Sequence, residues 1–263
     1  MKKITSVIGF LLISNFTIAQ TGPVLHIDFE DMPIGVYTDS ILNKNWNGVK
    51  WSSTKERSEI VTSFDPERGK VLQVYFPKGA VGPEQGGIQF VKNLPPANEY
   101  YLDYYIKFER GFSFSIGGKL PGLTSGGAKY SGGVHPDEGE GWSARYMWVK
   151  NKPIIYLYYV DMQLKYGETV PLMGEIEPGK WYRFTQYIRL NDPGKKNGYI
   201  QVWIDGVKSG YKKKFRLRLE DKGLIDSFYF STFHGGASED WAPVRGSYIR
   251  FDDFKVTTEK PDF

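Results

Sequence analysis

The chain of 263 residues contains no cysteine. That absence excludes a disulfide scaffold, a thiol nucleophile and a lipid anchor attached through cysteine. Histidine is almost as scarce. His26, His135 and His234 are the only three, far apart and without metal-ligand spacing, which argues against a transition-metal centre. Long apolar runs are missing after the first residues. Lys2 and Lys3 precede an apolar run over residues 7–12 that fades toward Ala19 and is broken by Ser14 and Asn15. It is too short to cross a bilayer and reads as a secretory signal peptide over 1–19, cleaved ahead of Gln20. The mature chain, 20–263, is then an exported protein, periplasmic or secreted, soluble and with no membrane partner. One-sided charge is lacking too. Removing 1–19 takes two lysines and no acid, so the formal charge falls from +4 to +2. That excess alone predicts no polyanion partner.

Helical periodicity is equally absent, whereas 42 aromatics and 30 glycines are present. Residues 24–30, 70–76, 86–94, 99–108, 142–149, 154–160, 181–190, 198–206, 227–233 and 248–256 read as strands. Turn chemistry separates or ends them, as at Asn191-Asp192-Pro193-Gly194, Asn197-Gly198 and Asp205-Gly206. Ten such strands without helical interludes predict one all-β domain of two packed antiparallel sheets, over 20–263. Residues 109–141 lack strand character and are rich in glycine, so they are expected as a functional loop beside a binding face.

The most aromatic hairpin follows that stretch. Side chains alternate between faces along a strand. In WSARYMWV, Ser143, Arg145 and Met147 share one face; in IIYLYYV, Tyr156 and Tyr158 oppose the apolar Ile155 and Leu157. A four-residue connection, Lys150-Asn151-Lys152-Pro153, would set Arg145 across from Tyr158 and Met147 across from Tyr156. Ser143, Arg145, Tyr156 and Tyr158 would then project together, and a one-residue slip would scatter them. An ordinary solvent face with tyrosines over their cross-strand neighbours is the competing explanation.

Taken together, GGKLPGLTSGG (117–127), GWSARYMW (141–148) and the Tyr-x-Tyr of YLYY resemble the jelly-roll polysaccharide lyases of alginate lyase family 14 and their glucuronan lyase relatives. The closing FSTFHGGASEDWAP and YIRFDDFKV stretches (230–256) are similar to the end of that domain, and residues 181–206 also fit it. The resemblance implies a β-jelly-roll sandwich, concanavalin- or lectin-like, that cleaves a 1,4-linked polyuronate by β-elimination to give unsaturated oligosaccharides. It implies Lys119, Arg145, Tyr156 and Tyr158 as catalytic residues, with Ser143 and Gly118 at the substrate. His234 stands where relatives tend to carry an aromatic, and is expected at the substrate as well.

The chemistry suits those residue types. Removing the C5 proton of a uronate and expelling the C4 oxygen needs a base, an acid and groups that stabilise enolate-like charge. Arg145 can pair a carboxylate in a planar fork and Lys119 adds a point charge. Tyr156 or Tyr158 can carry the proton if nearby cations lower its pKa from about 10; Lys119 is the other candidate base. Ser143 has no histidine or acid arranged to activate it, so a nucleophilic role is disfavoured.

Other signals carry less. Asp28, Glu30, Asp31, Asp252 and Asp253 could hold a structural calcium or be surface charges; no cofactor is required. KKKFRLR (212–218) reads as a solvated strand edge rather than a nucleic-acid patch. Glu138 with Glu140, or Glu239 with Asp240, could be a glycosidase pair, but none sits in a short alternating strand motif. The remaining rival is a non-catalytic carbohydrate-binding sandwich for acidic polysaccharide. A monomer is expected.

Overall fold

Alternation builds this chain: where every second residue is apolar, the intervening ones are left to face outward. The structure, a computed structural model, describes residues 22–263. The expected signal peptide lies outside the described residues.

In chain order the strands are β1 (Leu25–Ile27), β2 (Gly35–Val36), β3 (Trp51–Ser53), β4 (Ser58–Asp65), β5 (Arg68–Phe76), β6 (Ile88–Ala97), β7 (Glu99–Phe108) and β8 (Gly117–Ser125). They continue with β9 (Trp142–Val149), β10 (Lys152–Tyr158), β11 (Glu168–Pro171), β12 (Trp181–Arg189), β13 (Gly198–Ile204), β14 (Val207–Phe215), β15 (Ile225–His234) and β16 (Ser247–Thr257). All ten expected strands are among them. The larger sheet runs β14-β13-β12-β7-β16-β5-β4-β2, with β1 on β16; the smaller runs β11-β10-β9-β8-β15-β6-β3. The two antiparallel sheets form the expected all-β jelly-roll sandwich. KKKFRLR falls mostly on β14, at the edge of the larger sheet.

Between the sheets lies an aromatic core. Trp46 stacks on Phe228 at 5.5 Å, and Tyr104 stacks on Phe254 at 5.1 Å. From β9, Trp142, Ala144, Tyr146 and Trp148 all enter this core. Burying a phenylalanine such as Phe228 there contributes about 1.5–3 kcal/mol. Among the described residues one α-helix interrupts the strands, α1 (Asp39–Asn45), capped by the Thr38 hydroxyl, which accepts from Ile41 N–H. At seven residues it is too short to show periodicity.

Two expectations fail. The stretch 109–141 is not all loop, because residues 117–125 form β8, between β9 and β15. Its glycines are the reason it was unreadable. A Cβ on Gly118 would lie 2.1 Å from the Trp148 ring, and one on Gly122 would lie 2.2 Å from Ala144 O. Here glycine permits close approach rather than a bend. The β9–β10 connection is also tighter than expected: Lys152 pairs with Val149, leaving only Lys150 and Asn151 in the turn, with Lys150 at φ 52°. Arg145 therefore faces Tyr156, Ser143 faces Tyr158 and Met147 faces Ile154. The shift is two residues, so the faces survive.

Candidate active site

Lys119 reaches the outer face of the smaller sheet because β8 is irregular. The register against β9 shifts between Lys119 and Gly122, where Lys119 pairs with Met147 and Gly122 with Arg145. An extra residue in that interval lets both Leu120 and Leu123 enter the core while Lys119 turns away from it. Behind the irregularity, the buried Gln186 of β12 donates to Ala144 O at 3.1 Å and accepts from Leu123 N–H at 3.3 Å. One side chain thereby ties the larger sheet to the two strands that carry Lys119 and Arg145.

The outer face then assembles across three strands. Lys119 Nζ lies 4.3 Å from the centre of the Tyr156 ring and 3.2 Å from Met147 Sδ. A thioether is a weak acceptor and compensates little for lost water. Burial, reinforced by the neighbouring Arg145 charge, lowers the Lys119 pKa to about 7. Arg145 is buried as well, yet no carboxylate meets it: Nη1 donates to Ser231 Oγ at 3.0 Å and Nε has no partner. The guanidinium also sits 5.1 Å from the centre of the Tyr229 ring. A buried cation with an unfilled donor is poised for an anionic oxygen.

The tyrosines divide. Both lie on the outer face, since Ile155 and Leu157 take the core side. Tyr156 is half-buried, while Tyr158 is fully covered by the loops above it. Their hydroxyls are 3.5 Å apart. Burial, followed by the Tyr158 hydroxyl, raises the Tyr156 pKa. The expected lowering of a tyrosine by nearby cations therefore does not occur at Tyr156. It is the lysine that moves into the neutral range.

Three further expectations change. Ser143 is buried and its hydroxyl donates to Tyr130 O at 2.6 Å, so it fastens residues 126–141 to β9. His234 does not reach this face. Its ring lies in the core, stacked on Phe112 at 5.6 Å and edge-on to Trp148, and its Nε2 donates to Ser113 O at 2.6 Å. Burial lowers its pKa to about 4, so it is neutral in ordinary conditions. Gly118 also sits against the Trp148 ring. Its role is to let the two strands meet, which argues against substrate contact.

The residues missed by sequence reading are Gln89, Tyr229 and Ser231. Gln89 Nε2 donates to Tyr229 Oη at 2.6 Å and to Ser231 Oγ at 3.3 Å, and Ser231 in turn receives Arg145. The signal was present in the alternation of SFYFSTF, whose Phe228 and Phe230 enter the core.

Of the acids considered for calcium, three are held by cations or a backbone amide. Asp252 binds Arg68 at 2.8 Å, Asp253 binds His26 and Lys255, and Glu30 accepts from Lys70 N–H. Among the described residues, no group of three His, Cys, Asp or Glu could hold a metal ion, and no helix is long and apolar enough to cross a membrane.

Comparison with known proteins gives a consistent result. The family described as polysaccharide lyase 14 matches residues 65–254. The alginate lyase Aly36B is 26% identical with a TM-score of 0.79, covering 92% of this chain and 99% of its own. Two double mutants of it, each 25% identical with a TM-score of 0.78, are solved with bound alginate. One has a lysine and a tyrosine changed to alanine and holds a tetrasaccharide, over 92% of this chain and 99% of that one; the other has a lysine and a methionine so changed and holds a trisaccharide, over 90% and 98%. Two more distant structures share the fold. A marine PL-14 alginate lyase from Aplysia kurodai is 23% identical, covers 90% and 100% of the two chains, and has a TM-score of 0.75. An endo-β-1,4-glucuronan lyase from Trichoderma reesei is 12% identical over 90% and 96%, with a TM-score of 0.57. No curated protein matches by sequence.

Proposed function

Since the chain belongs to the polysaccharide lyase 14 family, we propose that it cleaves a 1,4-linked polyuronate, alginate foremost, by β-elimination on the outer face of the smaller sheet. The observation that carries this reading is the pairing of a near-neutral Lys119 with a protonated Tyr156 beside an Arg145 that lacks a carboxylate. The complexes of Aly36B support the choice of alginate. In that relative the altered lysine and methionine are 28 residues apart, as Lys119 and Met147 are here.

Each residue has a task. Arg145 neutralises the uronate carboxylate, which makes the C5 proton more acidic. Neutral Lys119 takes that proton. A base with a pKa near the working pH combines a useful free-amine fraction with a useful affinity for the proton. Tyr156, whose pKa is raised, holds its proton until the C4 oxygen leaves and then supplies it. Ser231 and Tyr229 hold the guanidinium in place. The segment 1–19 supports export, where such a polymer would be met.

The test is to incubate the purified protein with polymannuronate, polyguluronate and glucuronan and to follow the ultraviolet absorbance of the unsaturated product. A rise on at least one polymer is expected. Reducing ends without that absorbance would indicate a hydrolase, and binding without any product would indicate the carbohydrate-binding alternative.

A further inference from the structure

Two loops reach over the tyrosine end of this face, and each points a backbone amide at a tyrosine hydroxyl. From residues 126–141, Gly133 N–H donates to Tyr158 Oη at 3.0 Å. From the turn ahead of β11, Gly167 N–H donates to Tyr156 Oη at 3.1 Å. A phenol oxygen that accepts an N–H keeps its own hydrogen for another partner. Tyr158 is thus able to donate across the 3.5 Å gap to Tyr156 Oη. Either hydroxyl of the pair can be the donor across that gap.

The two loops are joined by one side chain. His135 Nε2 lies 2.9 Å from Lys165 O. A carbonyl only accepts, so Nε2 carries the hydrogen and donates it. His135 is two residues from Gly133, and Lys165 is two residues from Gly167. The fit around the tyrosines is close. A Cβ on Gly167 would lie 2.7 Å from the Tyr158 ring, and one on Gly133 would lie 3.4 Å from the Tyr166 ring.

We propose that His135 is a positioning residue for the elimination, clamping the two loops so that their amides stay on the tyrosine pair. This rests on the polyuronate-lyase reading of the same face. In the step itself, the C5–H electrons form the C4–C5 double bond, the C4–O bond breaks toward oxygen, and Tyr156 protonates that oxygen. The phenolate left on Tyr156 then meets a donor already aimed at it, Gly167 N–H. The proton gained by Lys119 returns to Tyr156 and restores the resting state. Donors arranged before charge develops require no reorganisation during the step.

The test compares the wild type with His135→Ala and His135→Gln on a polyuronate that the wild type cleaves. His135→Ala should lower kcat about tenfold while KM stays within about twofold, because Arg145 and Lys119 are untouched. His135→Gln, whose amide N–H can also donate to Lys165 O, should recover most of the loss. Gly133→Ala, strained at φ 94°, should give the same kcat-only loss. Thermal midpoints of all variants are measured alongside. Unchanged kcat in His135→Ala or Gly133→Ala overturns the proposal. So does a glutamine variant as slow as the alanine one at equal thermal midpoint. A wild type that forms no unsaturated product on any polyuronate fails the underlying reading instead.

Discussion

In the proposed mechanism Lys119 serves activity at a cost in stability. Its pKa falls from 10.5 to about 7, which corresponds to a penalty on the order of 5 kcal/mol at about 1.36 kcal/mol per pH unit. Below pH 7 the lysine is protonated in both folded and unfolded states, so the folded state bears the full penalty. Between pH 7 and 10.5 the unfolded state binds more protons, so stability rises with pH. Lys119→Met should therefore be inactive yet more stable than the wild type. Its advantage should be largest below pH 7 and shrink by pH 9, as read by chemical denaturation at both pH values. Tyr156→Phe keeps the ring and loses the proton, and should lower kcat by about 10² or more with little change in KM. Equal losses in kcat and in binding would argue against an acid role. Lys119 and Arg145 were legible as residues from their motifs. The lysine's near-neutral pKa was not, because it arises from burial beside Met147 and the Arg145 charge, neither of which a linear sequence displays.

At the scale of elements, what was legible followed the period-two alternation. The strands β9 and β10 showed which side chains share a face, and that held even though the pairing shifted by two residues. An odd shift would have turned Tyr156 and Tyr158 into the core. What could not be read was β8, where glycines stand in for side chains and the irregularity between Lys119 and Gly122 breaks the alternation. Gly118→Ala tests this. The added methyl must displace the Trp148 ring or the strand, and overpacking of this kind costs about 1–3 kcal/mol. Thermal unfolding should show the loss, and an unaltered midpoint would mean the strands are looser than described. Ser143 lies on the expected face and His234 does not, and a neighbouring backbone carbonyl holds each of them, Tyr130 O for one and Ser113 O for the other.

Across the whole molecule, two sheets divide the work. The larger sheet supplies one side of the aromatic core and, through Gln186, steadies the strands that carry the reacting groups. The smaller sheet presents those groups on its outer face. The formal charge is modest, so recognition of a polyanion rests on a few placed cations, Arg145 above all. Added salt should accordingly raise KM moderately, through screening, while kcat stays nearly constant. Everything in the mechanism depends on a lysine that is free of its proton near neutrality. The most direct measurement is kcat/KM for alginate between pH 5 and 9, where uronate carboxylates stay ionised. A rise of about tenfold per pH unit that levels off near pH 7 is expected. A rate that is flat, or that increases toward acid, would contradict it.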